Sequence, residues 1–144
     1  MGVILDSSVL IAFERRRFDL ERLLSDHSPP AIATITAAEL LIGVERADTP
    51  ERRVRREAFV QNILARVPSI AFDLPQARLF AIHFAALARR GEVIGDRDLQ
   101  IAVTALSLDY ELATLNVGEF QRVVGLRLVD VSAYGVPSPA TPSK

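Results

Sequence analysis

The sequence contains no cysteine, which excludes disulfide bridges and thiolate metal sites and favours a reducing compartment. Lysine occurs once, as Lys144, so the basic side chains are almost all arginines. No apolar run reaches the roughly 20 residues that a membrane-spanning helix needs, and no secretory signal pattern opens the chain. We therefore expect a cytoplasmic protein that makes no contact with a membrane.

Several motifs of phosphate chemistry are also missing. The chain lacks both G-x-G-x-x-G and G-x-x-x-x-G-K-[ST], which argues against the common nucleotide-binding folds. A phosphoacceptor receiver domain needs a lysine beside its aspartates, and the single lysine is the last residue. A haloacid-dehalogenase-type phosphatase has D-x-D after its first strand, where this chain reads DSS. The net charge of −1 gives no overall attraction to nucleic acid.

What the chain does contain is an alternation of short apolar runs with helical patterns. The runs typical of buried strands are GVILD, AIATI, SIAF, ELATL and LRLVDV. The helical segment DRDLQIAVTALSL is apolar on nearly every face, which predicts a helix in the core. The alternation predicts an α/β fold, a three-layer α/β/α sandwich around a mainly parallel sheet of four or five strands. Residues 1–131 form one predicted domain, and residues 132–144 have the composition of a disordered tail.

Oxygen-bearing side chains stand at or near most of the predicted entrances to helices. They are Asp6, Glu39, Asp96, Asp98, Asn116 and Glu119. Because open parallel sheets bind ligands at the carboxyl ends of their strands, we expect these side chains to converge there. Helix capping explains each acid singly, but a cap contributes only ~1 kcal/mol. Three carboxylates within ~4 Å of one another cost several times more at an effective dielectric of ~20, so together they predict a cation.

The chemistry of the candidate ligands narrows the choice of cation. Glu39 has apolar neighbours in AAELLIGV, although Thr36 and Glu39 also have the spacing of a capping box. His27 lies in a predicted loop and His83 lies opposite an apolar stripe, so neither is a candidate ligand. Carboxylate and amide oxygens select Mg²⁺ or Mn²⁺ over zinc, and these ions chiefly serve phosphate chemistry.

Four motifs of this sequence, in this order, resemble the four acidic motifs of the PIN-domain ribonucleases. They are DSSVLIA, TAAELLIGV, DLQIAVTAL and ATLNVGEF. Over residues 2–131 the chain looks like the compact VapC-type toxins of type II toxin–antitoxin systems. The resemblance implies a sheet of order 3-2-1-4-5 and puts Asp6, Glu39 and Asp98 on the first three acidic positions of the family.

The fourth acidic position departs from the wider family pattern. Asn116 stands where many PIN domains have aspartate, and the next acid is Glu119, so the number of metal ions stays open. Asp96 either joins the ligands or only stabilises the start of its helix. Ser8 and Thr114 either hold the ligands by hydrogen bonds or form local turns.

The resemblance implies a Mg²⁺- or Mn²⁺-dependent endoribonuclease that cleaves tRNA or rRNA with a metal-activated water. Asp6, Glu39, Asp98 and Asn116 would be its catalytic residues. The implied partners are RNA, a cognate antitoxin and a second copy of the chain in a homodimer. The alternative is a catalytically weak PIN scaffold that binds RNA or protein, and metal-dependent turnover would distinguish the two.

Arginines near the predicted site are candidates for phosphate contacts. Arg97 lies between two aspartates, and Arg15–Arg17 form a run after the first predicted helix. Solvated helix ends explain both features equally well.

Overall fold

The computed structural model describes residues 1–137, in which short strands alternate with helices. In chain order the elements of these residues are β1 (Val3–Leu5), α1 (Ser7–Glu14), α2 (Leu20–Asp26), β2 (Pro30–Ala33), α3 (Thr34–Glu45), α4 (Pro50–Arg66), β3 (Ser69–Ile70), α5 (Leu74–Arg89), α6 (Asp96–Leu108), β4 (Glu111–Ala113) and α7 (Val117–Phe120). A 3₁₀ helix, Val131–Tyr134, follows them. In this part of the chain, none of the helices has both the length and the apolar character needed to cross a bilayer.

The sheet is parallel, with strand order β3-β2-β1-β4, so that β1 lies inside it. Val3 and Leu5 of β1 belong to one apolar cluster and Ile4 to another, because successive side chains of a strand point to opposite faces. Residues of α1 to α4 fill the first cluster, and residues of α5 and α6 contribute to the second. The predicted three-layer sandwich is confirmed.

The predicted fifth strand is reduced to one parallel bridge between Leu112 of β4 and Leu128. Its position beside β4 agrees with the predicted order 3-2-1-4-5. Regular pairing ends after this bridge because Asp130 turns the chain into the 3₁₀ helix. The Asp130 carboxylate accepts hydrogen bonds from the backbone N–H and the hydroxyl of Ser132, at 3.2 and 2.6 Å.

Helix α6 lies in the core, as its apolar sequence predicts. Its fully buried apolar residues are Leu99, Ile101, Ala102, Val103 and Ala105. The exposed residues of α6 are Asp96 and Arg97 in its first turn, and Asp98 next to them is buried. Packing of the apolar residues therefore determines where the Asp98 carboxylate lies.

The disordered tail was predicted to begin at residue 132, which is too early in the chain. Tyr134 is buried, and its hydroxyl donates a hydrogen bond of 2.7 Å to Asp26 Oδ2. Gly135 forms an antiparallel bridge with Phe18, and the Val136 N–H donates to a backbone carbonyl. The prediction of disorder is therefore wrong for residues 132–136, because one aromatic side chain docks this segment on α2. Residues 138–144 lie outside the described part of the chain.

Candidate active site

Asp6 directly follows β1, and its carboxylate is held by two hydroxyl groups. Ser8 Oγ and Thr114 Oγ1 each donate a hydrogen bond of 2.7 Å to Asp6 Oδ2. Asp6 occupies the N-cap position of α1, yet its side chain makes no capping hydrogen bond. Capping therefore does not explain this buried carboxylate, which is 5% exposed.

The two hydroxyl groups are themselves positioned by the backbone that follows β4. The Leu115 N–H donates to Ser8 Oγ, and the Asn116 N–H donates to Thr114 Oγ1, both at 3.0 Å. Each hydroxyl thus accepts one hydrogen bond from the backbone and donates one to Asp6. Because β1 and β4 are adjacent parallel strands, this network joins their carboxyl ends.

Glu39 lies on α3, and its carboxylate is directed toward the same site. Helix α3 begins at Thr34 with Ala33 as its N-cap, so Thr36 lies inside the first turn and the capping-box interpretation is wrong. Glu39 Oε2 accepts a hydrogen bond of 3.1 Å from Ser7 Oγ. Glu39 Oε1 is buried and has no hydrogen-bond partner among residues 1–137. Burial accordingly raises the pKa of Glu39.

Asp98 is the third residue of α6 and is 8% exposed. Its pKa is raised to about 6, first by burial and then by interaction with the Glu119 carboxyl and the charge of Asp6. A carboxyl group whose pKa is raised by other carboxyl groups lies close to them, and Asp6 also raises the pKa of Glu39. The structure therefore groups Asp6, Glu39, Asp98 and Glu119 at the carboxyl end of β1.

The remaining two candidates stand at the rim of this group. The side chains of Asp96 and Asn116 are exposed, and within residues 1–137 neither hydrogen-bonds to another side chain. Asp96 is the first residue of α6, where a negative charge favours the helix dipole. Asn116 contributes its backbone N–H to the network around Asp6.

Arg97 supplies the positive charge nearest to these acids. Its Nη1 lies 2.9 Å from Glu39 Oε2, and its Nη2 lies 3.8 Å from Asp98 Oδ1. The guanidinium lowers the pKa of both carboxyls, but the effect of burial is larger. With Arg97 in this position, residues 1–137 contain no three acids already spaced as ligands of one metal ion.

Comparison with known proteins places this arrangement in a family. The sequence model of the PIN domain family matches residues 3–126 of this chain. The chain belongs to the PIN-domain family. Ribonuclease VapC1 of Rickettsia felis is 33% identical over 133 residues, which cover 92% of this chain and 98% of that protein. The predicted resemblance to the VapC ribonucleases is confirmed.

Two further relatives agree with this assignment. The tRNA(fMet)-specific endonuclease VapC of Shigella flexneri is 33% identical over 118 residues, 82% of this chain and 83% of that protein. The crystal structure of VapBC2 from Rickettsia felis bound to a promoter DNA fragment superposes with a TM-score of 0.79. That match has 26% identity and covers 90% of this PIN domain chain and 98% of the other.

The donor set of this PIN domain fits a hard divalent cation. All four grouped side chains offer carboxylate oxygens, the ligands that Mg²⁺ and Mn²⁺ prefer. The unpartnered, buried Glu39 Oε1 needs a donor or a cation, since an unsatisfied buried polar atom costs about 1–3 kcal/mol. The raised pKa values of Glu39 and Asp98 also show that the charge of Arg97 does not fully compensate these acids.

Two contacts of this PIN domain site were not predicted from the sequence. Ser7 donates to Glu39 across 32 positions of sequence. Arg97 was a candidate either for phosphate contact or for a solvated helix end, whereas the structure pairs it with Glu39. Sequence spacing carried no signal for either contact, since each depends on how α3 lies beside the other elements.

Proposed function

We propose that this chain is a Mg²⁺- or Mn²⁺-dependent endoribonuclease that acts as the toxin of a toxin–antitoxin pair in the cytoplasm. The single observation that carries the proposal is the group of buried and half-buried carboxylates after β1, in which the buried Glu39 Oε1 has no hydrogen-bond partner among residues 1–137. The names of the relatives, ribonuclease VapC1 and tRNA(fMet)-specific endonuclease VapC, support the assignment.

Asp6, Glu39 and Asp98 would hold the divalent ion, with Glu119 as the nearest further carboxylate. Bound there, the ion would orient the phosphodiester, lower the pKa of a water and stabilise the leaving oxygen. Asn116 is proposed to contact the ion from the rim of the carboxylate group. Asp96 is assigned to the start of α6, because its side chain is exposed and lies outside the carboxylate group.

Hydroxyl groups of the chain restrain two of the proposed ligands before any ion arrives. Ser8 and Thr114 hold the Asp6 carboxylate from two sides, and Ser7 holds Glu39. Donors that orient a ligand in this way typically change metal affinity or activity by about 10–100-fold when they are removed. The chain therefore supplies a partly preformed cage.

The proposed substrate is structured RNA of the tRNA or rRNA class. Support for tRNA comes from the name of the Shigella flexneri relative. Family likeness suggests products with a 5′-phosphate and a 3′-hydroxyl. Ligation-based sequencing of fragment ends would identify both the RNA and the cut site.

The proposed partners are a cognate antitoxin and a second copy of the chain. The antitoxin is supported by structural neighbours that are VapBC complexes. The homodimer is supported by several large apolar side chains that are exposed on and beside α5, because exposed apolar patches often mark contacts between proteins. These residues include Leu74, Ile82, Phe84 and Val93, which are 53–78% exposed.

A PIN scaffold that binds RNA without cutting it is the second candidate function. It is favoured by Asn116 at the fourth acidic position and by the Arg97 guanidinium beside two of the acids. Metal-dependent turnover is the property that separates the two candidates.

The decisive experiment is cleavage of total RNA by the purified chain, freed of any antitoxin, with Mg²⁺ or Mn²⁺ and with EDTA. We expect discrete, metal-dependent fragments that disappear in Asp98→Asn. Asp96→Asn is the matched control, because it removes the same charge two residues away and should retain cleavage. A folded wild-type protein that cuts no RNA in either metal would contradict the proposal and favour the binding scaffold.

A further inference from the structure

A groove between α1, α3 and α4 leads away from the carboxylate group. It consists of two adjoining cavities of about 210 and 380 Å³, which share several lining residues. We call it the α1–α4 groove and define it by Glu14, Arg15, Glu39, Arg55, Arg56 and Phe59. Glu39 lines the inner cavity, so the groove reaches one of the proposed metal ligands.

The outer part of the groove is lined by more arginines than acids. Within residues 1–137, Arg15, Arg55 and Arg56 form no salt bridge, although neighbouring arginines on α4 do. Arg56 is fixed at the junction of the cavities by a hydrogen bond of 2.9 Å from its Nη1 to the carbonyl of Gly43. Glu14 is the acid that lines the outer cavity beside them.

An aromatic side chain completes this surface. Phe59 lines both cavities and is partly exposed, and its ring packs at 6.0 Å from that of Phe13. Proteins that bind single-stranded nucleic acid combine a positively charged groove with aromatic side chains on which bases stack. Arginine guanidinium groups suit phosphate oxygens, because they present several donors in a planar fork.

We propose that the α1–α4 groove binds a single-stranded segment of the RNA next to the cleavage site. Its phosphates contact Arg15, Arg55 and Arg56, and one base packs on Phe59. This inference rests on the proposed ribonuclease function. It also explains how a chain with a net charge of −1 attracts a polyanion to a site built from acids: the positive charge is concentrated along one exit from that site.

Binding of a fluorescent single-stranded RNA oligomer, followed by anisotropy in EDTA, tests the groove without cleavage. All proteins carry Asp98→Asn, and the groove variant adds Arg15→Gln and Arg55→Gln. We expect binding to weaken about tenfold per arginine. The slope of log affinity against log salt should fall by about 0.7 for each lost phosphate contact.

Two further variants make the result specific. Arg78→Gln with Arg89→Gln on α5 removes the same charge from exposed positions outside the groove, and it should bind RNA as the parent does. Phe59→Leu keeps an apolar side chain and should weaken binding severalfold with little change in salt slope, because stacking releases no counterions.

Several outcomes would overturn the inference. Equal weakening by the α5 control would show that only net charge matters, and unchanged binding by the groove variant would show that RNA does not use the groove. If the groove variant bound RNA normally but no longer co-purified with the antitoxin, the groove would be a protein-docking surface.

Hydrolysis of a small phosphodiester tests the proposed nuclease function separately from the proposed RNA-binding groove. Bis(4-nitrophenyl) phosphate reaches only the metal site, so the groove variant with Asp98 intact should hydrolyse it at the wild-type rate while its KM for RNA rises. A wild-type protein that hydrolyses neither compound would refute the nuclease, whereas the binding experiment in EDTA would still test the groove.

Discussion

At the scale of single residues, Asp6 and Asp98 are both buried but differ in how their charge is supported. Asp6 accepts two hydrogen bonds of 2.7 Å from hydroxyl groups. Asp98 has a pKa raised to about 6, because burial and neighbouring carboxyls oppose its ionisation. Burial therefore disfavours the charged form of Asp98, and this effect is measurable in the metal-free protein.

The raised pKa of Asp98 predicts a stability that depends on pH. The folded protein holds this proton up to about pH 6, whereas the unfolded chain releases it near pH 4. The stabilisation is therefore complete below about pH 4 and is lost as pH rises through about 6. In EDTA at pH 7, Asp98→Asn should raise the free energy of unfolding by up to about 3 kcal/mol, with no such gain at pH 4.

Thermal denaturation of both proteins between pH 4 and 8 checks this prediction. Glu39 carries a shift of the same sign, so Glu39→Gln is an independent repeat of the measurement. If the wild type and Asp98→Asn differed in stability by the same amount at pH 4 and pH 7, ionisation of Asp98 would not destabilise the folded protein.

The position of Arg97 beside Glu39 and Asp98 predicts that its guanidinium competes with the metal ion for these carboxylates. Removing it in Arg97→Gln leaves Glu39 and Asp98 without their nearest positive charge, and the metal-free protein should lose about 0.5–1 kcal/mol of stability at pH 7. The loss is small because the Arg97 side chain is 55% exposed. Mn²⁺ should then raise the melting temperature of the variant more than that of the wild type.

Melting curves with and without Mn²⁺ measure this difference without any RNA. The control is Arg90→Gln, which breaks an exposed ion pair with Glu92 outside the site. A smaller Mn²⁺ effect in Arg97→Gln than in the wild type would mean that the guanidinium assists the ion rather than competing with it.

At the scale of elements, local sequence signals were reliable for some segments and misleading for others. The apolar run of α6 predicted a core helix, because a helix that is apolar on all faces has no solvent-facing side. The capping-box spelling at Thr36 and Glu39 failed, because β2 ends at Ala33 and α3 begins directly at Thr34. The last residue of the preceding strand therefore determines which residue caps the helix.

Helix α5 predicts a contact with a second copy of the chain. Two of its large apolar side chains are exposed to solvent: Ile82 is 62% and Phe84 is 53% exposed. Phe84 stacks on Phe80, whose ring also contacts Phe72, so the exposed patch is a connected aromatic surface. We expect Phe84→Asp to shift the mass in solution from dimer to monomer.

Light scattering coupled to gel filtration gives that mass directly. Val54→Asp, an exposed apolar position on α4, is the control and should leave the dimer intact. A wild-type protein that is monomeric at high concentration would refute the homodimer, and a dimer that persists in Phe84→Asp would move the interface away from α5.

At the scale of the whole molecule, the grouped carboxylates and the groove arginines lie in different parts of the structure although acids and arginines are mixed in sequence. The carboxylates gather after β1, while Arg15, Arg55 and Arg56 line the groove that leads from it. Net charge, which is −1, describes neither region. The proposed binding of RNA therefore depends on the distribution of charge over the fold rather than on its sum.

The amino-acid sequence by itself determined the alternation of strands and helices and the burial of α6. These features follow from local apolar periodicity. Only the tertiary structure decided that Ser7 and Arg97 meet Glu39 and that Tyr134 docks on Asp26. Thr114 and Asp6 are 108 positions apart, and contacts over such distances exist only once the sheet has brought its strand ends together.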